Sequence, residues 1–159
     1  MEINYKPIGI IHSSFQNVEG TPIQPGGAKN SKGIIEIFPE FTEGLKDIDG
    51  FSHIILLYHF HLLSKSSLSV KPFMDTVSHG IFSTRSPARP NHIGLSVVKL
   101  KEFIGNKLII ENVDIIDGSP LIDIKPYVPD FDSVKADRIG WLEDNVHKHK
   151  TTRDDGRFI

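Results

Sequence analysis

The stretch that decides the fold is His53-Ile54-Ile55-Leu56-Leu57-Tyr58-His59-Phe60-His61, a short run of aliphatic and aromatic residues. Successive side chains of a β-strand point to opposite faces of the sheet, so alternation divides this stretch into two faces. The core face carries Ile54, Leu56, Tyr58 and Phe60, and the opposite face carries His53, Ile55, Leu57, His59 and His61. The stretch therefore predicts a strand with one face in the core and histidines on the other.

Four other runs have the same strand-like character: they are short, rich in Val, Ile and aromatic residues, and bounded by Gly, Pro or Asp. They are residues 33–38, 95–100, 107–116 and 121–124. The turns Gly105-Asn106 and Asp117-Gly118-Ser119-Pro120 favour antiparallel pairing of the runs that they join. Helical signal is confined to residues 39–46 and 132–145, which are too short to cross over between parallel strands. These elements predict a mainly β fold, either a small antiparallel barrel or a strongly curved sheet, with a few short helices and no Rossmann fold.

Composition narrows the class of protein further. With 159 residues, of which 38% are hydrophobic and 24% charged, the chain is predicted to be a single soluble globular domain. It contains no cysteine, which excludes disulfides, thiolate metal sites and a cysteine nucleophile. A net charge of -2 argues against a protein that binds nucleic acid through a uniformly basic surface, but it does not exclude a local basic patch. The apolar run at residues 54–58 is far short of a membrane span and the N-terminus lacks a signal-peptide pattern, so we expect no membrane contact and a cytoplasmic location.

Common nucleotide-binding and hydrolase motifs are missing. The sequence has no Gly-x-Gly-x-x-Gly after a strand, no phosphate loop ending in Gly-Lys-Ser/Thr, and no Gly-x-Ser-x-Gly elbow. Close approach of a ligand to the backbone is instead predicted for Gly20-Thr21-Pro22-Ile23-Gln24-Pro25-Gly26-Gly27-Ala28, whose glycines and prolines expose backbone groups.

His59 and His61 form a His-x-His pair at the end of the predicted strand. Such a pair can bind a metal ion, but no third ligand follows at a recognisable spacing, so we predict no metal site. The two imidazoles either face a ligand pocket or form local hydrogen bonds and contact solvent.

The most unusual segment is Gly80-Ile81-Phe82-Ser83-Thr84-Arg85-Ser86-Pro87-Ala88-Arg89-Pro90-Asn91-His92-Ile93-Gly94-Leu95-Ser96. Pro87 and Pro90 fix their own φ and push the preceding residues toward extended backbone, so Arg85 and Arg89 lie on a stiff loop. Guanidinium groups bind carboxylate or phosphate through two hydrogen bonds, which predicts contact with a ligand carboxylate or a nucleic-acid backbone. The alternative interpretation is a structural salt bridge.

Polar residues also gather around the last predicted strand, which carries Asp123 and Lys125 and follows Asp114. Alternation through residues 121–125 places Asp123 and Lys125 on the face opposite Ile122 and Ile124. The run ends in Pro126-Tyr127, whose ring is suited to stacking on a nucleobase beside a hydrogen-bonding carboxylate. The alternative is a simple turn with a packed ring.

Several ordered motifs are spread over residues 5–132. They are Pro7-Ile8-Gly9-Ile10-Ile11-His12-Ser13, Gly44-Leu45-Lys46-Asp47, Gly50-Phe51-Ser52-His53, Gly80-Ile81-Phe82-Ser83-Thr84-Arg85-Ser86-Pro87, Arg89-Pro90-Asn91, Ile93-Gly94-Leu95-Ser96, and Asp117-Gly118-Ser119-Pro120 through Asp123-Ile124-Lys125-Pro126-Tyr127. In this order they resemble the TsaA-like (TrmO) family of tRNA methyltransferases. The resemblance implies a single-sheet β-barrel over residues 1–145, followed by a polar C-terminal tail at residues 146–159. It also implies binding of S-adenosyl-L-methionine and methylation of N6 of threonylcarbamoyladenosine beside the anticodon of tRNA.

Matched position by position, the resemblance assigns roles to individual residues. Cofactor contacts fall on Pro25, Gly26, Gly27, His61, Leu62, Arg85, Ser86, Asp114, Ile115 and Ile116. The expected reaction suggests further roles as a hypothesis: Asp123 is the candidate base toward N6 and Tyr127 the stacking ring, Arg85 or Arg89 binds the threonyl carboxylate, and the substrate contacts are Arg89, Asn91 and Lys125. The family usually has Pro where this chain has His92. Substrate affinity is expected to depend on a homodimer or on the basic residues Lys148, Lys150 and Arg153.

Other functions stay open from the sequence. One is an S-adenosylmethionine-dependent methyltransferase acting on a different RNA or a small molecule. Another is a non-enzymatic barrel that binds S-adenosylmethionine or a nucleoside as a sensor. A metal-dependent hydrolase that uses His59 and His61 is a more distant alternative.

Overall fold

The computed structural model describes residues 1–159 and contains a closed barrel in which all strand pairs are antiparallel. The strands are β1 (Gly9–Ser13), β2 (Lys32–Ile37), β3 (His53–His59), β4 (Ser69–Val70), β5 (His79–Gly80), β6 (Ile93–Ile104), β7 (Lys107–Glu111) and β8 (Ser119–Pro126). Around the barrel they lie in the order β1-β2-β7-β6-β3-β8, and β4 and β5 form a separate two-stranded ribbon. The predicted fold class, a small antiparallel β-barrel with a few short helices and no Rossmann fold, is confirmed.

Strand β3 has the alternation that its sequence predicts. Ile54 and Leu56 are fully buried and Tyr58 is 6% exposed, whereas Ile55 and Leu57 are partly exposed on the outer surface. Burial of an aliphatic side chain of this size contributes about 1.5–3 kcal/mol to stability. All six barrel strands contribute buried residues to one core cluster, which therefore holds the barrel together from the inside.

The pairing predicted for residues 107–116 and 121–124 is wrong. β7 pairs with β2 and β6, whereas β8 lies between β1 and β3. The chain leaves β7 after Glu111, turns at Asn112 with a φ of 64°, and buries Val113 and Ile115 across the end of the barrel. Residues 112–118 are therefore a link between distant strands and not a hairpin turn. The other predicted turn, at Gly105-Asn106, does join the paired strands β6 and β7.

Strand β1 closes the barrel and was not among the strands predicted from the sequence. Gly9 lies so close to β2 that a Cβ added there would come within 2.4 Å of the carbonyl oxygen of Glu36. A glycine is required at this position because no side chain would fit between the two strands.

A β-bulge changes the faces of β8. Leu57 lies opposite Asp123 and Tyr58 opposite Leu121, which leaves Ile122 without a partner on β3. Leu121 is therefore fully buried and Ile124 packs against the core, so the prediction that Ile122 shares the face of Ile124 is wrong.

The short helices are mostly 3₁₀ helices. Residues predicted as helical at 39–46 form the 3₁₀ helix Pro39–Leu45. The helix predicted for residues 132–145 is wrong: the structure has a single turn of α-helix, α1 (Pro129–Asp132), and a 3₁₀ turn at Gly140–Leu142. Gly140 has a φ of 59°, a left-handed conformation that cannot continue a right-handed helix. None of the helices is long and apolar enough to cross a membrane.

We call residues 140–159 the C-terminal strap, because they return along the barrel to the N-terminal loop. The strap includes the 3₁₀ helix Val146–Lys150 and then pairs with the N-terminal loop, with the backbone N–H of Gly20 donating to Asp154 O at 2.7 Å and that of Asp154 to Thr21 O at 2.9 Å. Near its end, Phe158 packs edge-to-face on Phe73 with ring centroids 5.0 Å apart. The polar tail predicted at residues 146–159 thus makes specific contacts with the rest of the chain.

Candidate ligand-binding site

A cavity of about 730 Å³ opens beside one end of the barrel, a volume typical of small-molecule sites. Its walls come from the N-terminal loop, the end of β3, the stiff loop that carries Arg85 and Arg89, the link after β7 and the C-terminal strap. The predicted ligand-contacting residues that line it are Pro25, Gly26, His61, Leu62, Arg85, Ser86, Arg89, Asp114, Ile115 and Ile116. The fold therefore brings together, from distant parts of the sequence, most of the residues predicted to contact cofactor.

The N-terminal wall is the 3₁₀ turn Pro25–Gly27. A Cβ on Gly26 would come within 2.9 Å of His149 Nε2, and the carbonyl oxygen of Gly27 accepts a hydrogen bond from Arg153 Nη2 at 3.1 Å. Glycine at these positions lets the strap lie directly on the loop. Gly26 faces the cavity, whereas Gly27 does not line it.

His61 lies just beyond the end of β3, in the cavity wall. Ser119 Oγ donates to Ile116 O at 2.7 Å, so His61 Nδ1 is the donor in its 3.4 Å contact with Ser119 Oγ. Burial lowers the pKa of His61, and the nearby His59 lowers it further. The imidazole is therefore neutral at pH 7. No group of three metal-ligating side chains in the structure is arranged to hold a metal ion.

A buried polar network forms the floor of the cavity where it meets the barrel. Ser96 Oγ donates to Asp114 Oδ1 at 2.7 Å, so the hydroxyl of Tyr58 donates to Ser96 Oγ at 3.3 Å. Burial raises the pKa of Asp114 to about 6 and, together with the charge of Asp114, raises the pKa of Tyr58. A Cβ on Gly94 would lie 2.4 Å from the Tyr58 ring, so glycine makes room for that ring. The floor thus carries a carboxyl group that titrates near neutral pH.

The two arginines of the stiff loop have different environments. Arg89 Nη1 donates to Thr84 O at 2.7 Å and to Ile81 O at 3.3 Å, so it ties the loop together. Arg85 is exposed, and its hydrogen bond is to the side-chain oxygen of Gln24 at 3.3 Å. Neither arginine forms an ion pair with a carboxylate, so the alternative interpretation, a structural salt bridge, is wrong for both. Arg85 is therefore the freer of the two for an anionic group of a ligand.

Asn91 and His92 follow this loop and lie outside the cavity wall. The backbone carbonyl of His92 accepts a hydrogen bond from the N–H of Phe60 at 2.9 Å, which fixes the loop to the end of β3. His92 Nε2 is buried without a hydrogen-bond partner.

The predicted catalytic residues lie elsewhere, on and after β8. Asp123 Oδ2 forms an ion pair with Lys125 Nζ at 2.8 Å, and Asp123 borders a second hollow of about 420 Å³ that shares no lining residue with the first cavity. Tyr127 packs edge-to-face against His53 with ring centroids 6.3 Å apart. None of Asp123, Lys125 and Tyr127 lines the 730 Å³ cavity.

The strap supplies cavity residues that sequence reasoning missed, including Trp141, His149 and Asp154. The sequence contains one signal for this contact: Trp141 is the only tryptophan of the chain, and a polar stretch separates it from the apolar residues Phe158 and Ile159. The basic residues Lys148 and Arg153 bind the strap to the rest of the chain: Lys148 Nζ donates to Met74 O at 3.3 Å and Arg153 to Gly27 O.

The cavity fits an S-adenosylmethionine-sized ligand by its chemistry as well as by its volume. It combines a largely apolar wall with the carboxyls of Asp114 and Asp154 and the guanidinium of Arg85, so it offers partners for both cationic and anionic groups.

Comparisons with known proteins show the family to which the chain belongs. The family model described as the tRNA-methyltransferase O N-terminal domain matches residues 10–133. A protein of Pyrococcus abyssi named a probable S-adenosyl-L-methionine-binding protein is 60% identical over 157 residues, covering 99% of this chain and 85% of that one. A mouse tRNA (adenine(37)-N6)-methyltransferase is 38% identical over 135 residues, covering 80% of this chain but 31% of that enzyme.

Solved structures of the same kind are also similar. The crystal structure of TrmO from Pseudomonas aeruginosa matches with a TM-score of 0.74 and 38% sequence identity, covering 89% of this chain and 63% of that one. The chain thus spans less than two thirds of that TrmO.

Proposed function

Because the chain belongs to the family of tRNA-methyltransferase O N-terminal domains, we propose that it is an S-adenosylmethionine-dependent methyltransferase that acts on tRNA. The proposed acceptor is N6 of threonylcarbamoyladenosine beside the anticodon, in the cytoplasm. The observation that carries the proposal is the cavity, which is lined by all the cofactor residues expected from the resemblance except Gly27.

Bound S-adenosylmethionine supplies an electrophilic methyl group on a sulfonium. The cavity residues would hold this donor, and their task would be to align it with the acceptor nitrogen, since such positioning lowers the barrier of a transfer reaction. The glycine-rich N-terminal loop offers backbone groups, and the floor offers the carboxyl group of Asp114. N6 of threonylcarbamoyladenosine belongs to a urea-like group; as the N–C bond forms, the S–C bond to the methyl group breaks, its electron pair leaves on neutral S-adenosylhomocysteine, and the N6 proton passes to a base.

Arg85 is our candidate for binding the threonyl carboxylate of the substrate. It is exposed at the cavity wall and pairs with no carboxylate of the chain, whereas Arg89 is bound to backbone carbonyls. Asn91 and Lys125 remain proposed substrate contacts, and Arg89 is proposed to act on the substrate by holding the loop in place.

Asp123 and Tyr127 remain our candidates for the base and the stacking ring, and we propose that a second copy of the chain brings them to the cavity. They do not line the cavity of their own copy, so one copy would have to present them at the cavity mouth of another. The outer surface offers a suitable interface, because Leu57 pairs with Leu95 and Ile55 with Val97 to form an apolar patch across β3 and β6. Leu95 of this patch is 52% exposed and also lines the cavity. The patch borders Asp123 and Lys125 on the neighbouring strand β8. Exposed apolar patches of this kind mark interaction surfaces, which supports a homodimer.

A second candidate is a protein that binds S-adenosylmethionine without transferring its methyl group. It is favoured by the name of the Pyrococcus abyssi relative, which states binding and no transfer.

The test supplies methyl-labelled S-adenosylmethionine with two tRNA pools, one with threonylcarbamoyladenosine and one without it. We expect label only in the modified pool. Label in neither pool, with binding of the donor intact, would favour the binding protein, and equal label in both would exclude the proposed acceptor.

Two arginine variants sharpen the test. Arg85→Ala is expected to lower the preference for the modified pool, while Arg138→Ala, at an exposed arginine outside the cavity, leaves it unchanged. If Arg85→Ala weakens donor binding and keeps the preference, Arg85 contacts the cofactor and not the threonyl carboxylate.

The shared site is tested by mixing two inactive variants, Asp123→Asn and Ser86→Trp. The Asp123→Asn copy keeps an intact cavity and the Ser86→Trp copy keeps Asp123. A mixed dimer therefore contains one complete site, made of the cavity of one copy and Asp123 of the other. Recovery of activity on mixing supports the shared site, and its absence in a proven mixed dimer contradicts it.

A further inference from the structure

The C-terminal strap lies outside residues 10–133, which the family model matches, and yet it forms a complete wall of the cavity. Trp141, Leu142, Val146, His149, Asp154 and Phe158 all line the cavity from this side. The strap is therefore a part of the site that the matched domain does not provide.

The strap is fixed to three other walls. Trp141 Nε1 donates to Ser83 O at 2.8 Å, and the Trp141 ring stacks on His79 with centroids 4.7 Å apart. Arg153 binds the N-terminal turn through Gly27 O, and Arg157 Nη1 donates to Pro72 O at 3.3 Å. These contacts hold the strap in one position against the cavity.

Asp154 is the acidic residue that the strap places in the cavity wall. Its backbone is held on both sides by the pairing with Gly20 and Thr21, so the direction of its side chain is set. Oδ1 accepts the backbone N–H of Gly156 at 2.8 Å. The neighbouring Arg157 pairs with Asp155 instead, and no basic side chain forms an ion pair with Asp154.

A half-buried carboxylate without a cationic partner is unfavourable, because burial removes water that would solvate its charge. Burial accordingly raises the pKa of Asp154. Asp114, the other acidic residue of the cavity, is also without an ion-pair partner and also has a raised pKa. A ligand that brings a positive charge into this cavity would relieve both carboxylates.

We propose that Asp154 is a binding residue for a positively charged group of the cavity's ligand, and that the strap thereby adds a specificity determinant to the barrel. This inference rests on the proposed function, in which the ligand is S-adenosylmethionine. That ligand carries two candidate groups, the α-ammonium and the sulfonium.

The experiment is isothermal titration calorimetry with three ligands on the full chain. S-adenosylmethionine has both charged groups, S-adenosylhomocysteine keeps the ammonium and lacks the sulfonium charge, and methylthioadenosine lacks both. The variants are Asp154→Asn, which keeps the size of the side chain, and Asp144→Asn, a control at an exposed strap residue outside the cavity. Thermal unfolding of each variant verifies that it is folded.

Loss of a hydrogen-bonded contact with a charged group predicts that Asp154→Asn weakens S-adenosylmethionine binding about 10-fold to 100-fold, with no change in the control. An equal loss for S-adenosylhomocysteine with none for methylthioadenosine assigns the contact to the ammonium. A loss confined to S-adenosylmethionine assigns it to the sulfonium.

Unchanged binding, or the same loss for all three ligands, would overturn the proposal, because neither result involves a charged group. Failure of the unaltered chain to bind S-adenosylmethionine would instead overturn the proposed function, and this inference with it. If Asp154→Asn unfolds, Asp154→Glu tests the same contact, since it keeps the charge and moves it by one methylene. Asp154→Glu must then weaken S-adenosylmethionine more than methylthioadenosine, and equal effects on both overturn the proposal.

Discussion

Replacing Asp114 with Asn is expected to stabilise the fold at neutral pH. Burial raises the pKa of Asp114 from 3.8 to about 6, so the ionised carboxylate is unfavourable in the folded state. Asn cannot ionise, and its Oδ1 still accepts the hydrogen bond from Ser96.

The magnitude follows from the linkage between proton binding and stability. Between pH 4 and pH 6 the folded chain keeps a proton on Asp114 that the unfolded chain releases, so stability falls as pH rises through this window. The rise of the pKa from 3.8 to about 6 destabilises the folded state by about 3 kcal/mol above this pH window and has no effect on stability below it. Asp114→Asn therefore gains up to about 3 kcal/mol at pH 7.5 and little at pH 3.5.

Guanidinium chloride unfolding of the two proteins at these two pH values measures the difference directly, with far-UV circular dichroism as the probe. The exposed Asp144→Asn variant is the control. An equal gain at both pH values would show that the effect does not come from the charge, and a loss at pH 7.5 would refute the reasoning. Ligand affinity is expected to fall in the same variant, because a group that reduces stability in a binding site is often one that contacts the ligand.

Three more variants test other parts of the structure. Gly94→Ala places a Cβ 2.4 Å from the Tyr58 ring and is expected to cost about 1–3 kcal/mol in thermal unfolding; an unchanged midpoint would contradict this packing. Leu95→Glu charges the exposed apolar patch and is expected to convert a dimer to monomer in sedimentation velocity, whereas an unchanged dimer would rule out this interface. Asp117→Asn is expected to change stability in the opposite direction to Asp114→Asn. The backbone N–H of Ser13 lowers the pKa of Asp117, so the variant loses stability at pH 7. Urea unfolding should show that this loss shrinks as the pH falls from about 4 through the lowered pKa.

The strands could be predicted because their faces differ in polarity. In β3, buried Ile54, Leu56 and Tyr58 share one face, whereas His53 and His59 lie on the other face with some exposure, and that contrast is visible in the sequence. The order of strands could not be predicted from the same contrast, because alternation says nothing about which strand lies next to which. The turn-rich residues before β8 resemble a hairpin, but the burial of Val113 and Ile115 directs the chain across the barrel end.

The candidate site was predictable in part. Motif resemblance marked Gly26, Arg85 and Asp114, which the fold then brings to one cavity. It could not mark Asp154, because the strap lies outside the matched residues and carries little hydrophobic periodicity. The bulge at Ile122 was also beyond prediction, since it depends on the register between two strands that are distant in sequence.

The position of β8 between β1 and β3 also dictates an order of assembly during protein synthesis. Strands β1, β2, β3, β6 and β7 all emerge before β8 and can pair into one open sheet, but its two outer edges, β1 and β3, wait for residues 119–126. Pairing of Gly9 with Leu121 closes a loop of more than a hundred residues, and contacts so distant in sequence form slowly. Until they form, two unpaired strand edges are exposed to other nascent chains, which makes this interval the one most open to aggregation.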